Sequence, residues 1–322
     1  MNATKTKVEI PTLDYTDLIS GNPELKKQFC KNIGKAYNEI GFVVIKNHGL
    51  LPQTKDYLYE QVKNFFSQPE EFKKKYEIEG IFGQRGYTSK GKEIAKGSKV
   101  ADLKEFWQWG QEFEDGVIPE GFYQNVYVKE LPEFNKIALE VYKKLEDIAI
   151  ELLRAIALFL KLDEFYFDDK VQKGNSILRM LHYFPLIDVD LPEGAVRAEA
   201  HEDINLITLL IGASADGLQV KTLDGEWLSL NAKDDELVIN VGDMLQRLTN
   251  GKLVSTTHRV INPPKELLGT SRYSIPFFLH PVADMDLTCL DSCIDEKHPK
   301  KFSDMTAGEY LNKRLVEIGL KK

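Results

Sequence analysis

Cysteine is scarce in this chain: Cys30, Cys289 and Cys293 are the whole complement in 322 residues. An odd, sparse set does not suit a disulfide framework, and Cys289 and Cys293 have no second ligand pair nearby to complete a structural zinc site. Long apolar runs are missing too. The most apolar helical stretch, IAIELLRAIALFLKL, is interrupted by Glu151 and Arg154 and is too short to span a bilayer. The opening residues, MNATKTKVEIPTLDY, lack the apolar core of a signal peptide, so the expected location is cytoplasmic. Basic residues are outnumbered, 42 Lys and Arg against 50 Asp and Glu, for a net charge of −8. That balance argues against non-specific nucleic-acid or anionic-lipid partners. Internal repeats and low-complexity segments are absent.

What is present describes an ordinary globular protein, 43% hydrophobic and 29% charged. Its length exceeds one typical domain, so either an elaborated domain or a core with a sizeable extension is expected. Residues 8–14 (VEIPTLD) read as a short strand. Residues 23–40 read as an amphipathic helix with Leu25, Phe29, Ile33 and Tyr37 on one face. In GFVVIKNHGL, the run Phe42 to Ile45 reads as a buried strand closed by a turn, and His48 as a turn histidine bonded to backbone. A second helix is expected within 52–76, with Tyr57, Tyr59, Val62, Phe65 and Phe66 on its apolar side. A Gly-rich basic loop follows over 80–99, in which Arg85 and Tyr87 either contact substrate or sit on a solvated surface.

From Leu131 to Leu162 a stripe of Ile137, Val141, Leu145, Ile148, Leu152, Ile156 and Leu160 predicts a long core helix behind Pro132. After Gly174 the pattern changes to short β-rich runs punctuated by Gly, Asp and Asn: SILRMLHYF, AVRAEAHED, NLITLLI, GLQVKT, EWLSL, ELVINVGD, LVSTTHRVIN and RYSIPFFLHP. Such spacing indicates an all-β sandwich or barrel. An amphipathic helix around 304–318 closes the chain.

Chemistry concentrates in the β-rich half. If HEDI is extended, His201 and Asp203 project from one strand face, and His258 arrives from a later strand on the far side of the barrel. Two imidazoles and a carboxylate form the facial triad of non-haem Fe(II) oxygenases, which leaves open metal positions. Arg272 and Ser274 also share a face. A guanidinium fork with a neighbouring hydroxyl is suited to holding a carboxylate.

These residues resemble the isopenicillin N synthase-like branch of the Fe(II)/2-oxoglutarate-dependent dioxygenases. The resemblance is carried by IPTLD, GFVVIKNHGL, LRMLHYFP, HEDINLITLL, NVGDMLQRLTNG, THRV and RYSIPFF, and so covers nearly the whole chain. It implies a mainly β fold with bracing helices: a double-stranded β-helix (jelly-roll) core with an α/β N-terminal extension. The implied organisation is an extension over 1–115, a bracing helix and linker over 116–173, the core over 174–285, and a C-terminal helix over 286–322. It implies Fe(II) held by His201, Asp203 and His258, and 2-oxoglutarate held by Arg272 and Ser274, with O2 as the other co-substrate. Tyr183 falls at a tyrosine that often helps bind 2-oxoglutarate. Leu181 replaces the family's usual asparagine on that strand, and His182, facing away, reads as structural.

The implied activity is oxidation, chiefly hydroxylation, of an unactivated C–H bond in a small molecule such as an amino acid or specialised metabolite, with release of succinate and CO2. The Arg-x-Ser pair also occurs in isopenicillin N synthase and aminocyclopropane carboxylate oxidase, which use no 2-oxoglutarate. A co-substrate-independent oxidase of a small carboxylated substrate therefore stays open, as do a non-catalytic ligand-binding protein and a zinc hydrolase. The substrate pocket is expected between the N-terminal elements, the 80–99 loop and the C-terminal helix, with Arg85, Tyr87 and Trp107 as candidate contacts.

Overall fold

A computed structural model describes residues 9–92, 104–113, 116–118, 122–187, 196–212 and 216–317. The chain opens with β1 (Thr12–Asp14), α1 (Tyr15–Ile19), α2 (Pro23–Glu39), β2 (Phe42–Lys46), α3 (Pro52–Phe66), α4 (Glu70–Lys74), β3 (Gly86–Thr88) and β4 (Lys104–Gly110). The helices α5 (Pro132–Phe159) and α6 (Asp168–Val171) follow. Then come β5 (Ile177–Tyr183), β6 (Ala198–His201), β7 (Ile207–Ile211), β8 (Leu218–Lys221), β9 (Trp227–Ser229) and β10 (Glu236–Val241). The chain continues through α7 (Asp243–Leu248), β11 (His258–Val260), β12 (Arg272–Leu279) and α8 (Ala307–Glu317).

The strands form two sheets, one of eight in the order β1-β2-β10-β7-β12-β5-β4-β3 and one of four in the order β6-β11-β8-β9. Only β1 and β2 pair in parallel; the remaining neighbours are antiparallel. This is the expected jelly roll, and the period-two alternation of its strands explains why the sheets face each other. On β2, Phe42 and Val44 join Val238 of β10 and Leu218 and Val220 of β8 between the sheets. The intervening Val43, Ile45, Leu237 and Ile239 point the other way, into the larger core under the helices. Phe106, Leu181 and Tyr183 meet Ala198 and Val260 in a second small apolar cluster between the sheets. The polar site lies in the space that these clusters flank.

The predicted stripe of the long helix is buried along α5, where Tyr142 meets Phe277 of β12 edge-on at 5.1 Å. Gly34 of α2 lets this helix approach: a Cβ there would stand 2.1 Å from the Phe159 ring. Three expectations change. Leu25 is exposed, so the buried face of α2 is Phe29, Cys30, Ile33, Ala36 and Tyr37. The helix expected within 52–76 ends at Phe66, and Pro69 caps a separate short helix, α4. The stretch 80–99 is not simply a surface loop: Gly86–Thr88 pairs with β4, although 93–100 lies outside the described residues. The strand β4 itself, KEFWQWG, was not among the expected strands; it carries aromatic residues on both faces and joins the extension to the core sheet through β5. No helix among the described residues is long and apolar enough to cross a membrane.

Candidate metal centre and co-substrate site

His201 ends β6 and His258 begins β11, and the two are directly paired across antiparallel strands, with ring centroids 4.5 Å apart. His258 thus comes from the neighbouring strand rather than from the far side of the barrel. Asp203 lies beyond the end of β6, in the turn that follows, rather than on an extended HEDI strand. That turn is held by the start of α7: the Asp243 amide donates to the Asp203 carbonyl at 2.7 Å and the Met244 amide to the Asn205 carbonyl at 3.1 Å. Gly242 permits the approach, since a Cβ there would sit 2.2 Å from the Asn205 carbonyl oxygen.

The three side chains turn ligand atoms toward one point. His201 Nε2 stands 3.9 Å, and His258 Nε2 3.8 Å, from Asp203 Oδ1. One donor from each of the three lies within 4.8 Å of the others. Those separations are too long for hydrogen bonds. They are somewhat wider than the roughly 3.0–3.4 Å between neighbouring ligands each about 2.1 Å from a shared ion, so a small inward movement of the side chains would close the donors on one. His201 Nδ1 is 2.7 Å from the Glu199 carbonyl and His258 Nδ1 3.2 Å from the Thr256 carbonyl. A carbonyl only accepts, so Nδ1 carries the proton in both rings and each Nε2 offers a lone pair. Asp203 Oδ2 accepts from the Thr208 hydroxyl at 2.6 Å and from the Asn240 amide at 2.8 Å, which turns Oδ1 toward the imidazoles.

The electrostatics agree with this division. Burial works to raise the Asp203 pKa, but His258, His201, Asn240 and Thr208 together hold it below the usual carboxylate value. His201 keeps 47% of its side-chain surface accessible, yet the protein around its ring desolvates it. Desolvation there, followed by the neighbouring His258, pushes its pKa down to about 4. The ring is therefore held neutral, as a metal ligand must be. A divalent ion would fit this donor set of two imidazoles and a carboxylate.

Arg272 and Ser274 lie on β12 and Tyr183 on β5, all three buried. Tyr183 and Arg272 are register partners, and the guanidinium sits 5.3 Å from the Tyr183 ring centroid. Arg272 also lines a small cavity of about 40 Å³ walled by Leu210, Leu218 and Val238. A buried cation two residues from a buried hydroxyl on the same strand face suits a carboxylate.

Other candidates fall elsewhere. His48 Nε2 donates to the Asp235 carbonyl at 3.0 Å while Nδ1 accepts from the Leu50 amide, leaving no lone pair for a metal and bearing out the turn-histidine reading. His182 is structural: Nδ1 meets Glu105 at 2.7 Å, Nε2 meets Ser271 at 2.9 Å, and its ring stacks on Tyr273. Arg85, Tyr87 and Trp107 are neither surface residues nor part of the cavity between the sheets. Arg85 is buried over Gly110 and donates to Gln84 and Asn175. Tyr87 donates to the buried Glu105, and Trp107 packs with Phe65, Tyr76, Trp109 and Phe134. Their aromatic or charged character suggested contacts, but their strand parity turns Tyr87 and Trp107 toward the helices.

The sequence reading missed Thr208, Asn240 and Gly242. A polar residue within each apolar strand run, NLITLLI and ELVINV, was the available signal for the first two. A cavity of about 330 Å³ opens between Phe82 and Gln84, Phe122, His280 and the α8 residues Leu311 and Asn312. It lies between part of the 80–99 stretch and the C-terminal helix.

Residues 10–129 match the family described as the non-haem dioxygenase in morphine synthesis N-terminal region, and residues 174–281 match the 2OG-Fe(II) oxygenase superfamily. The proline hydroxylase buaE of Petromyces alliaceus is 32% identical over 96% of this chain and 99% of its own length. A 2OG-Fe(II) oxygenase family protein from Caulobacter crescentus superposes with a TM-score of 0.85 at 40% identity, covering 97% of this chain and 100% of its own. A full-length Neurospora crassa protein crystallised with alpha-KG (2-oxoglutarate) gives a TM-score of 0.85 at 30% identity over 98% of both chains. Its complex with alpha-KG and thymine gives 0.84 at 28% identity, again over 98% of both chains. Among the alternatives the sequence left open, these relatives select the 2-oxoglutarate-dependent enzyme over the co-substrate-independent oxidase. The chain belongs to the 2OG-Fe(II) oxygenase superfamily and is an Fe(II)- and 2-oxoglutarate-dependent dioxygenase.

Proposed function

We propose that the enzyme hydroxylates an unactivated C–H bond of a small polar molecule, with His201, Asp203 and His258 holding Fe(II) and with Arg272, Ser274 and Tyr183 holding 2-oxoglutarate. The convergence of two Nε2 atoms and Asp203 Oδ1 on one point carries this reading. When bound, Fe(II) supplies the redox chemistry that couples oxidation of 2-oxoglutarate by O2 to oxidation of the substrate. In balance, one O2 provides an oxygen atom to the substrate and one to succinate, with CO2 released. The chain's own share is positional. Backbone carbonyls fix the imidazole tautomers, Thr208 and Asn240 orient Asp203, and the two apolar clusters between the sheets keep water away from the reacting centre.

Small polar substrates are favoured by two relatives that are similar along nearly their full length. One is named a proline hydroxylase, and the other, from Neurospora crassa, was crystallised with thymine. We infer a free cyclic amino acid or a pyrimidinedione-like heterocycle as the first classes to test. The test is aerobic incubation of the Fe(II)-loaded enzyme with 2-oxoglutarate and a panel of both classes, reading succinate and product mass. Stoichiometric succinate with a product heavier by one oxygen atom supports hydroxylation. A product two hydrogens lighter would instead establish desaturation or cyclisation.

A further inference from the structure

The cavity of about 330 Å³ borders the metal centre through two of its lining residues. Met244 is tied by its amide to the Asn205 carbonyl, in the turn that carries Asp203. His280 stands two residues beyond Phe278, whose register partner Thr208 donates to Asp203. The backbone of His280 is clamped to the start of β5. Its amide donates to the Ser176 hydroxyl at 3.2 Å, and a Cβ at Gly174 would stand 2.2 Å from its carbonyl oxygen. The volume is at the small end of the range for ligand pockets, about 300–1,000 Å³.

Two side chains give this space a hydrogen-bonding code. Arg85, which can only donate, gives an Nη2 hydrogen to Asn175 Oδ1 at 3.2 Å. The Asn175 amide is thereby oriented, and its Nδ2 donates to Gln84 Oε1 at 3.0 Å. Gln84 is left with its Nε2 hydrogens, which no other described residue takes up, and the buried guanidinium behind the relay polarises them. His280 is the second. Its ring makes no hydrogen bond among the described residues, and its Nδ1 is buried. Burial pushes its pKa down to about 4 against the pull of Asp203, with Arg179 and Arg85 adding to the fall. The ring is therefore neutral and carries one donor and one acceptor nitrogen. A buried nitrogen without a partner is the kind of group that a bound ligand satisfies. Phe82, Met244 and Leu311 supply apolar surface, and none of the described lining residues is ionised.

We propose that this cavity is the substrate site, and that Gln84 and His280 recognise a neutral ring carrying a carbonyl and an N–H, as in a lactam or a cyclic imide. Gln84 Nε2 donates to the carbonyl oxygen, and the His280 ring accepts from the ring N–H. This rests on the reading that Fe(II) and 2-oxoglutarate occupy the positions proposed above. Of the two substrate classes named there, it selects the pyrimidinedione-like heterocycle over the free amino acid. A zwitterion would bring two charges into a space whose described walls supply no counter-charge.

The test titrates the full-length Fe(II)·2-oxoglutarate protein anaerobically with a pyrimidinedione, a six-membered lactam, unsubstituted pyrimidine and a cyclic amino acid. Binding is followed calorimetrically and by the shift of the chelate absorption band. One or both of the neutral carbonyl-bearing rings should bind, and the pyrimidine and the amino acid should not. In Gln84→Leu and in His280→Leu the Kd of the bound ring should rise roughly 5–150-fold, the range for a hydrogen bond lost with its partner left unpaired. The 2-oxoglutarate Kd and the chelate band should be retained, which also shows that the variants fold. His280→Asn, which keeps an acceptor, should recover part of the loss. Leu311→Trp, which fills the cavity from α8, should weaken the same ring while leaving 2-oxoglutarate binding intact. Tighter binding of the amino acid than of either neutral ring, binding of none of the compounds, or an unchanged ring Kd in Gln84→Leu, His280→Leu or Leu311→Trp would overturn the proposal. Absence of the chelate band in the wild type would instead strike the underlying metal and co-substrate assignment.

Discussion

At the residue scale, the account depends on which atoms of the triad are already engaged. Replacing Asp203 or His258 by Ala should abolish Fe(II) binding and succinate release; full activity in either variant would remove the assignment. Thr208→Val and Asn240→Leu each remove one donor from Asp203 Oδ2 and should weaken metal affinity about 10- to 100-fold, with little change in secondary structure, as judged by metal titration and circular dichroism. Acid should act through two histidines that the surrounding protein desolvates. His201 and His280 are each held near 4 in the fold against an ordinary value of 6.5, mainly by burial. Between those values the unfolded chain binds protons that the native state refuses, so their contribution is complete above about pH 6.5 and is lost as pH falls toward 4. The apo-protein's Tm should therefore be level near neutrality and decline through that window; a Tm that holds or rises there would contradict the electrostatic reading. Spacing placed Arg272 and Ser274 on one strand face, whereas the grouping of His201 and Asp203 with His258, 55 positions beyond Asp203, was legible only through the family resemblance. The contact of Asn240 with Asp203 was not, because a pair 37 positions apart leaves no local mark.

At the element scale, two packing features tie the site to its scaffold. Gly242→Ala would drive a Cβ into the Asn205 carbonyl, displacing the turn that carries Asp203. An overpacking cost of about 1–3 kcal/mol is expected in denaturant melts, accompanied by weaker Fe(II) binding. Glu105 of β4 accepts from Lys73 of α4, Tyr87 of β3 and His182 of β5, and so joins the N-terminal extension to the strand that bears Tyr183. Glu105→Leu leaves the Lys73 ammonium buried without its carboxylate and should cost about 3–5 kcal/mol in the same melts. Strand alternation made the large-sheet elements after Gly174 readable, because one face of each meets the helices and the other the opposing sheet. It failed for KEFWQWG, where aromatic side chains fill both faces and the alternation disappears. It also failed to show that the 52–76 helix breaks at Pro69.

At the scale of the whole molecule, the long α5 and the N-terminal helices cover one face of the large sheet, leaving the other to enclose the chemistry with the smaller sheet. The overall architecture was legible through period changes along the chain and the family resemblance. The approach of Gly34 to Phe159, and the pairing of β4 with β5, required the assembled fold. Ligands that bind only the native state must stabilise it, by about 2.7 kcal/mol at a free concentration one hundred times Kd. Fe(II) with 2-oxoglutarate should accordingly raise the Tm, and a chelator should reverse the rise.

The most direct test of the central claim is anaerobic addition of Fe(II) and then 2-oxoglutarate to the apo-protein, followed by visible absorption. The account predicts a weak metal-to-ligand charge-transfer band that appears only with both present, is missing in Asp203→Ala, and needs much more 2-oxoglutarate in Arg272→Ala. Iron bound without any such band, or a band unaffected by either substitution, would contradict it.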